Sequence, residues 1–74
     1  MPIPTAAKTS RAVRFLWILK LLSEEPLHFT ELAILMQVSE RQIQRDVATL
    51  KEAGAVIETT DRGYNLSGHW VLPL

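Results

Sequence analysis

Apolar residues recur along the chain with two periods, a helical one first and an alternating one after it. Around Phe15, the residues Ile18, Leu19 and Leu22 fall on one side of a helical wheel, the spacing of a core-facing stripe. Val13, Trp17 and Leu21 gather on the other side. A helix apolar nearly all round is covered on two sides. Its second cover is expected from the chain's own C-terminal segment or from a second subunit. This first helix is expected to start at a Ser10 cap and run to about Ser23. Glu24-Glu25-Pro26 then ends it, since proline disfavours helical geometry in the residue before it. Leu27 reads as a short bridge. A second helix follows over about 29–36, with His28 as cap, Glu31 three residues on, and Leu32, Leu35 and Met36 turned inward.

The stretch Val38-Ser39-Glu40-Arg41-Gln42-Ile43 carries two helix-start signals at once. Ser39 and Gln42 have the spacing of a capping box, in which Ser39 accepts from the Gln42 amide and the Gln42 side chain reaches back. Val38 and Ile43 hold the flanking positions of a hydrophobic staple, which sets the angle at which the chain joins the helix. The third helix continues with Ile43, Val47 and Leu50 on one face and stops at Gly54, the residue best suited to the left-handed turn after a helix. Beyond it the period changes. Residues 55–60 are rich in β-branched types and read as a strand. Asp61-Arg62-Gly63 reads as a three-residue hairpin turn, and Tyr64 and Leu66 alternate with Asn65 and Ser67 on the return strand.

Helix, bridge, helix, three-residue turn, helix, hairpin is the order of a winged helix-turn-helix. The expected fold is therefore mainly α with a small β-hairpin (α+β), three helices plus a two-stranded wing, over residues 10–68. Residues 1–9 are expected to form an N-terminal arm and residues 69–74 an apolar tail. The residues Glu31-Leu32-Ala33, Val38-Ser39, Arg41, Ile43, Arg45-Asp46, Leu50, Gly54 and Arg62-Gly63-Tyr64-Asn65-Leu66 resemble the helix-turn-helix domains at the start of DeoR-like and WYL-domain bacterial transcription regulators. The resemblance spans roughly residues 11–67 and implies a DNA-binding domain. It also implies glycine in the turn, where this chain has Gln37, and threonine or serine at the cap, where it has His28. A non-glycine residue in a left-handed conformation costs about 1 kcal/mol, which the fold can absorb. Members of this family commonly carry an effector-sensing domain after the wing; none is expected here, and no small-molecule effector is predicted.

With Ile43, Val47 and Leu50 inward, the outward face of the third helix carries Arg41, Arg45, Ala48 and Glu52, flanked by Gln42, Gln44 and Thr49. Arginine pairs with guanine through two hydrogen bonds in the major groove, and glutamine does the same with adenine. Base contacts fall on the N-terminal part of the second helix of the motif. Candidate DNA-binding residues are thus Ser39, Arg41, Gln42, Gln44, Arg45 and Thr49, with Arg62 at the wing tip as a phosphate or minor-groove contact. Ser39 also has the capping task. Asp46, at the core edge of the wheel, is expected to pair with Arg11 or Arg14. An exposed Arg or Gln on a helix is ordinarily a solvated group; the surrounding motif is what turns this cluster into a candidate site.

Composition changes the picture in three ways. Net charge is zero over 74 residues, unusual for a nucleic-acid binder, yet residues 1–20 hold Lys8, Arg11, Arg14 and Lys20 with no acid, and residues 21–40 hold Glu24, Glu25, Glu31 and Glu40 with no lysine or arginine. Such polarisation lets one face be positive despite a balanced total. Second, hydrophobic residues make up 47% of a chain that buries only about 60% of its unfolded surface. A homodimer is expected, through Val13, Trp17, Leu21, Trp70 and Leu72, binding an inverted-repeat operator in double-stranded DNA. One module covers only about 600–1,000 Å² of DNA, so two copies add needed affinity. Third, the chain has no cysteine and only two histidines, His28 and His69, far apart in sequence. No metal, no cofactor and no enzymatic activity is expected, because no nucleophile–base pair, phosphate-cradling glycine loop or carboxylate pair is apparent. No membrane span or secretory leader is expected, so the location is read as cytoplasmic. The competing reading is a winged-helix protein-interaction or adaptor module. RNA binding lacks the exposed aromatic pairs that stack bases.

Overall fold

The computed structural model describes residues 3–67. Among them, four helices and one antiparallel hairpin follow in the order α1 (Ala6–Thr9), α2 (Arg11–Glu24), α3 (Phe29–Met36), α4 (Glu40–Glu52), β1 (Ile57–Thr60) and β2 (Gly63–Leu66). This is the mainly helical, winged helix-turn-helix architecture that the pattern of the sequence predicts, with one helical turn more. The extra turn, α1, lies within the segment read as an arm. Its amides at Ala7 and Lys8 donate to Pro4 and Thr5 carbonyls at 3.0 Å, and Ala7 is buried.

Ser10 separates α1 from α2 and serves both. Its extended backbone (φ −104°, ψ 117°) breaks the helix, its N–H donates to the Ala6 carbonyl at 2.7 Å, and its Oγ accepts from the Val13 amide at 3.3 Å. At the other end of α2, Glu25 is extended (φ −161°, ψ 156°), as the proline that follows it requires. The buried line along α2 is Arg14, Ile18 and Leu22. Phe15 and Leu19, expected to face the core, are half-buried, as are Val13, Trp17 and Leu21, all packed against its margin. Ile18 and Leu22 are thus buried as expected, and the line is completed by an arginine, which a hydrophobic pattern passes over.

α3 turns Leu32, Ala33 and Met36 inward, while Leu35, expected there, is 46% exposed. Ala33 takes its place because a small side chain allows close approach at that point. The Glu31 carboxylate accepts from the His28 amide at 3.0 Å, which satisfies one free donor of the first turn. Gln37 ends α3 in the left-handed region (φ 58°, ψ 44°) and lets the Val38 amide return to the Ala33 carbonyl at 3.1 Å. Gln37-Val38-Ser39 is the turn of the helix-turn-helix. Ile43, Val47 and Leu50 of α4 complete the helical core. Gly54 (φ 110°) then reverses the chain, and the Ala55 amide closes on the Leu50 carbonyl at 3.0 Å.

The wing pairs Ile57 with Leu66, Glu58 with Asn65, Thr59 with Tyr64 and Thr60 with Gly63. Strand β1 is thus shorter than expected, starting at Ile57. Because Gly63 already pairs, the loop is the two residues Asp61 and Arg62 where three were expected. Thr60 Oγ1 ties it, accepting from the Arg62 amide at 3.2 Å and donating to the Gly63 carbonyl at 2.8 Å. Leu27 forms a bridge to Tyr64, with Tyr64 N–H to Leu27 O at 2.8 Å and Leu27 N–H to Tyr64 O at 3.3 Å, so the wing is stitched to the α2–α3 connection. Gly63 lies against that connection: a methyl there would overlap the Leu27 carbonyl and sit 2.5 Å from the His28 nitrogen. His69, Trp70 and Leu72 lie outside the described residues.

Candidate nucleic-acid interface

The helix expected to read DNA is held in one rotation about its axis by a buried ion pair. Asp46 is fully buried on the inner side of α4, and Arg14 of α2 is buried opposite it. Arg14 donates through Nε to Asp46 Oδ2 and through Nη2 to Oδ1, the latter at 3.4 Å. Its Nη1 donates to the carbonyls of Ala7 (3.2 Å) and Lys8 (3.3 Å). Asp46 Oδ1 accepts a further bond from Gln42 Nε2 at 2.9 Å. Two buried charges are costly to desolvate, and they are tolerated when paired and hydrogen-bonded throughout. Here no buried side-chain nitrogen or oxygen of the described residues lacks a partner. Of the two partners expected for Asp46, Arg14 is the one it takes.

Turning Asp46 inward sends the opposite side of α4 outward. Arg41, Gln44, Arg45 and Ala48 are all exposed on that side, beginning two residues after the Ser39 cap. Ser39 Oγ accepts from the Gln42 amide at 3.0 Å, so the first half of the expected capping box is present. The second half is replaced: the Gln42 side chain, expected to reach back to Ser39, is half-buried and bound to Asp46. Thr49 is half-buried too. Its Oγ1 donates to the Arg45 carbonyl at 3.0 Å and accepts from Arg11 Nη2 at 3.4 Å. Arg62 is exposed at the wing tip, where only its amide is engaged by Thr60.

Ser39, Arg41, Gln44 and Arg45 therefore share the open part of one helix, Gln42 and Thr49 its flanks, and Arg62 the tip of a separate element. Arg41 and Arg45 are four residues apart and have no carboxylate within ion-pair distance among the described residues. Like charges at that spacing destabilise a helix by about 0.2–0.5 kcal/mol. Two bare guanidiniums beside a small Ala48 form a surface ready for an anion with depth, such as a groove edge.

Two cations that sequence reasoning did not place at a site come close to it. Arg11 reaches α4 through Thr49 and lies with its guanidinium 5.4 Å from the Phe15 ring centroid. Lys8 is carried on α1, whose last carbonyls are fixed by Arg14. The acid-free stretch 1–20 was the visible signal; the missing information was that α1, packed on α2, lines one cleft with the start of α4. The remaining candidates stand apart. Among the described residues no group of three potential metal ligands forms, and His69 lies outside them. No helix of the described residues is long and apolar enough to cross a membrane.

Comparison with known proteins agrees with this geometry. A family model described as a helix-turn-helix (HTH) domain matches residues 14–65, more than two-thirds of the chain, from the buried arginine to the last residue but one of the wing. No curated protein and no solved structure matches.

Proposed function

The chain belongs to the helix-turn-helix domain family, and we propose that it is a sequence-specific double-stranded DNA-binding protein acting as a transcriptional repressor or autoregulator. The observation that carries this reading is the locked rotation of α4, which leaves Arg41, Gln44, Arg45 and Ala48 outward together. In the proposed complex α4 lies in the major groove. Arg41 and Arg45 pair with guanines, Gln44 with an adenine, and Ala48 touches a thymine methyl. Ser39 and Thr49 flank the contact, and Gln42 acts through Asp46 by holding the helix. The wing loop, with Arg62, lies on the backbone or in the minor groove. The likeness of its motifs to DeoR-like and WYL-domain regulators supports the same reading, and a cytoplasmic location is part of the proposal.

Two copies on an inverted repeat follow from the small footprint of one module. Leu16, 59% exposed on α2 and neighbour to Trp17, and Ile34, 72% exposed on α3, support self-association through apolar surface. The expected interface residues Val13, Trp17 and Leu21 are partly spent on the protein's own core.

The test is selection of genomic fragments by the purified protein at near-physiological salt, followed by sequencing. Recovery of one inverted-repeat sequence is the expected result. Recovery of nothing by folded protein would replace this reading with the protein-interaction module.

A further inference from the structure

Beside the start of α4 the surface opens into a cleft of about 450 Å³, lined by Lys8, Thr9 and Arg11 on one side and by Gln37 and Ser39 on the other, with Arg14 at its base. No carboxylate lines it. The charge of Arg14 is compensated by Asp46, so the cleft owes its positive field to Lys8 and Arg11, both exposed and neither within ion-pair distance of a carboxylate among the described residues.

The backbone that carries Lys8 and the side chain of Arg11 are both held in place. Arg14 Nη1 binds the carbonyl of Lys8 itself, at 3.3 Å, and that of Ala7, at 3.2 Å, while the same guanidinium binds Asp46 on α4. The turn carrying Lys8 is therefore tied to the helix proposed to read DNA by one buried side chain. Arg11 is restrained by the Phe15 ring and by Thr49 Oγ1, two residues whose own positions are set by packing. Neither restraint uses all of its five donors. Lysine as a point charge and arginine as a planar fork are the two side chains that grip phosphate oxygens.

We infer that Lys8 and Arg11 clamp one phosphodiester of the DNA backbone in this cleft, so that the N-terminal turn is part of the DNA interface. The inference rests on the DNA-binding reading above and extends it to a segment outside the helix-turn-helix and outside the matched residues 14–65. The clamp would set how deeply and in what register α4 sits, since phosphate contacts position while base contacts specify. Arg14 is a positioning residue in this arrangement and does not touch DNA.

The test compares binding of a labelled mixed-sequence DNA duplex by the full chain and by its variants across a salt series. Lys8→Gln combined with Arg11→Gln is expected to lower the slope of log affinity against log salt by about 0.9, the value of one neutralised phosphate. Affinity at low salt should fall about tenfold. Lys20→Gln, the loss of an exposed cation toward the far end of α2, should leave the slope unchanged. Thermal melting of each variant shows that it is folded. An unchanged slope in the double variant, with Arg62→Gln at the wing tip still lowering it, would overturn the clamp and leave the DNA reading standing. An equal drop in Lys20→Gln would overturn it as a diffuse charge effect. If the unaltered chain shows no salt-dependent binding at all, the DNA reading fails first and the clamp with it.

Discussion

The Arg14 guanidinium and the Asp46 carboxylate meet inside the protein, one from α2 and one from α4, and between them they also hold the carbonyls of Ala7 and Lys8 and the side-chain amide of Gln42. Three segments of the chain thus depend on one pair of charges. That concentration is unusual in a domain whose apolar core has so few layers.

Removing either member should be severe. A charge left buried without its partner costs about 3–5 kcal/mol, against a total stability of roughly 4–11 kcal/mol for a chain of 74 residues. Arg14→Ala and Asp46→Ala are each expected to lose that much in urea unfolding. The double replacement Arg14→Met with Asp46→Leu should recover most of it, since no charge is then stranded. If the double variant is as unstable as the singles, the loss arises from packing and not from the stranded charge.

The two glycines with positive φ should respond very differently to the same methyl group. Gly54 (φ 110°) has nothing within 4 Å of a new Cβ, so Gly54→Ala carries only the backbone penalty, about 1–2 kcal/mol. Gly63 (φ 112°) has the Leu27 carbonyl and the His28 nitrogen in the way. Gly63→Ala must push the wing off the α2–α3 connection and break the Leu27–Tyr64 pairing. A loss greater by about 2 kcal/mol or more is expected, measured by thermal melting of both variants side by side. Equal losses would mean that the wing yields without resistance.

Gln37 is the converse case. It occupies the left-handed region where the resemblance implies glycine. Gln37→Gly removes a strain of about 1–2 kcal/mol and adds unfolded-state entropy worth about 0.4–1 kcal/mol. The variant should be more stable by up to about 1.6 kcal/mol, read as a higher denaturant midpoint with an unchanged slope.

Much of this was legible in the sequence, and the exceptions share a cause. The helix starts at Ser10 and Ser39, the stops at Pro26 and Gly54 and the change of period after Gly54 are local signals, and each lies where it was expected. On α2, Ile18 and Leu22 are buried as expected, but Arg14 is buried beside them where Phe15 and Leu19 are only half-buried, because a polar residue enters a hydrophobic pattern as solvent-facing. Leu35 was placed inward by its spacing, although the smaller Ala33 is what fits against the core. α1 is too short to show a period at all; its stability comes from Arg14, a tertiary contact. On the candidate site, Arg41 and Arg45 could be read from the wheel. The commitment of Gln42 to Asp46 could not, because it depends on which arginine satisfies the carboxylate.

Tyr64, the one tyrosine of the chain, gives a pH signature for the wing. Burial raises its phenol above the usual 10.0. A phenol with a folded-state pKa above its unfolded value contributes stability present below about pH 10 and lost as pH rises through the folded value. Absorbance titration of the phenolate should therefore have its midpoint above that of the unfolded chain. The alkaline loss of stability should be smaller in Tyr64→Phe. A midpoint at or below the unfolded one would place the ring in full contact with water.

On DNA, Arg45 and Gln42 should separate reading from holding. The Arg45 side chain is exposed and has no carboxylate within ion-pair distance among the described residues, so Arg45→Ala should leave melting within about 0.5 kcal/mol of the unaltered chain. It should nonetheless weaken binding to the selected operator by about 1–3 kcal/mol and relax preference at one base pair. Gln42→Ala should do the reverse in part. Loss of its bond to the buried Asp46 leaves a charged acceptor under-satisfied, at a cost of about 1–3 kcal/mol in stability. The preferred sequence should stay the same, since the side chain that reads it is elsewhere on α4. The measurement is melting and operator affinity on both variants, with a panel of single-base changes in the operator. If Gln42→Ala alters the preferred base and Arg45→Ala does not, the groove faces the flank of α4 and the assignment of its outward side is wrong. If Arg45→Ala lowers affinity equally for every duplex, Arg45 touches phosphate, and specificity must rest on Arg41 and Gln44.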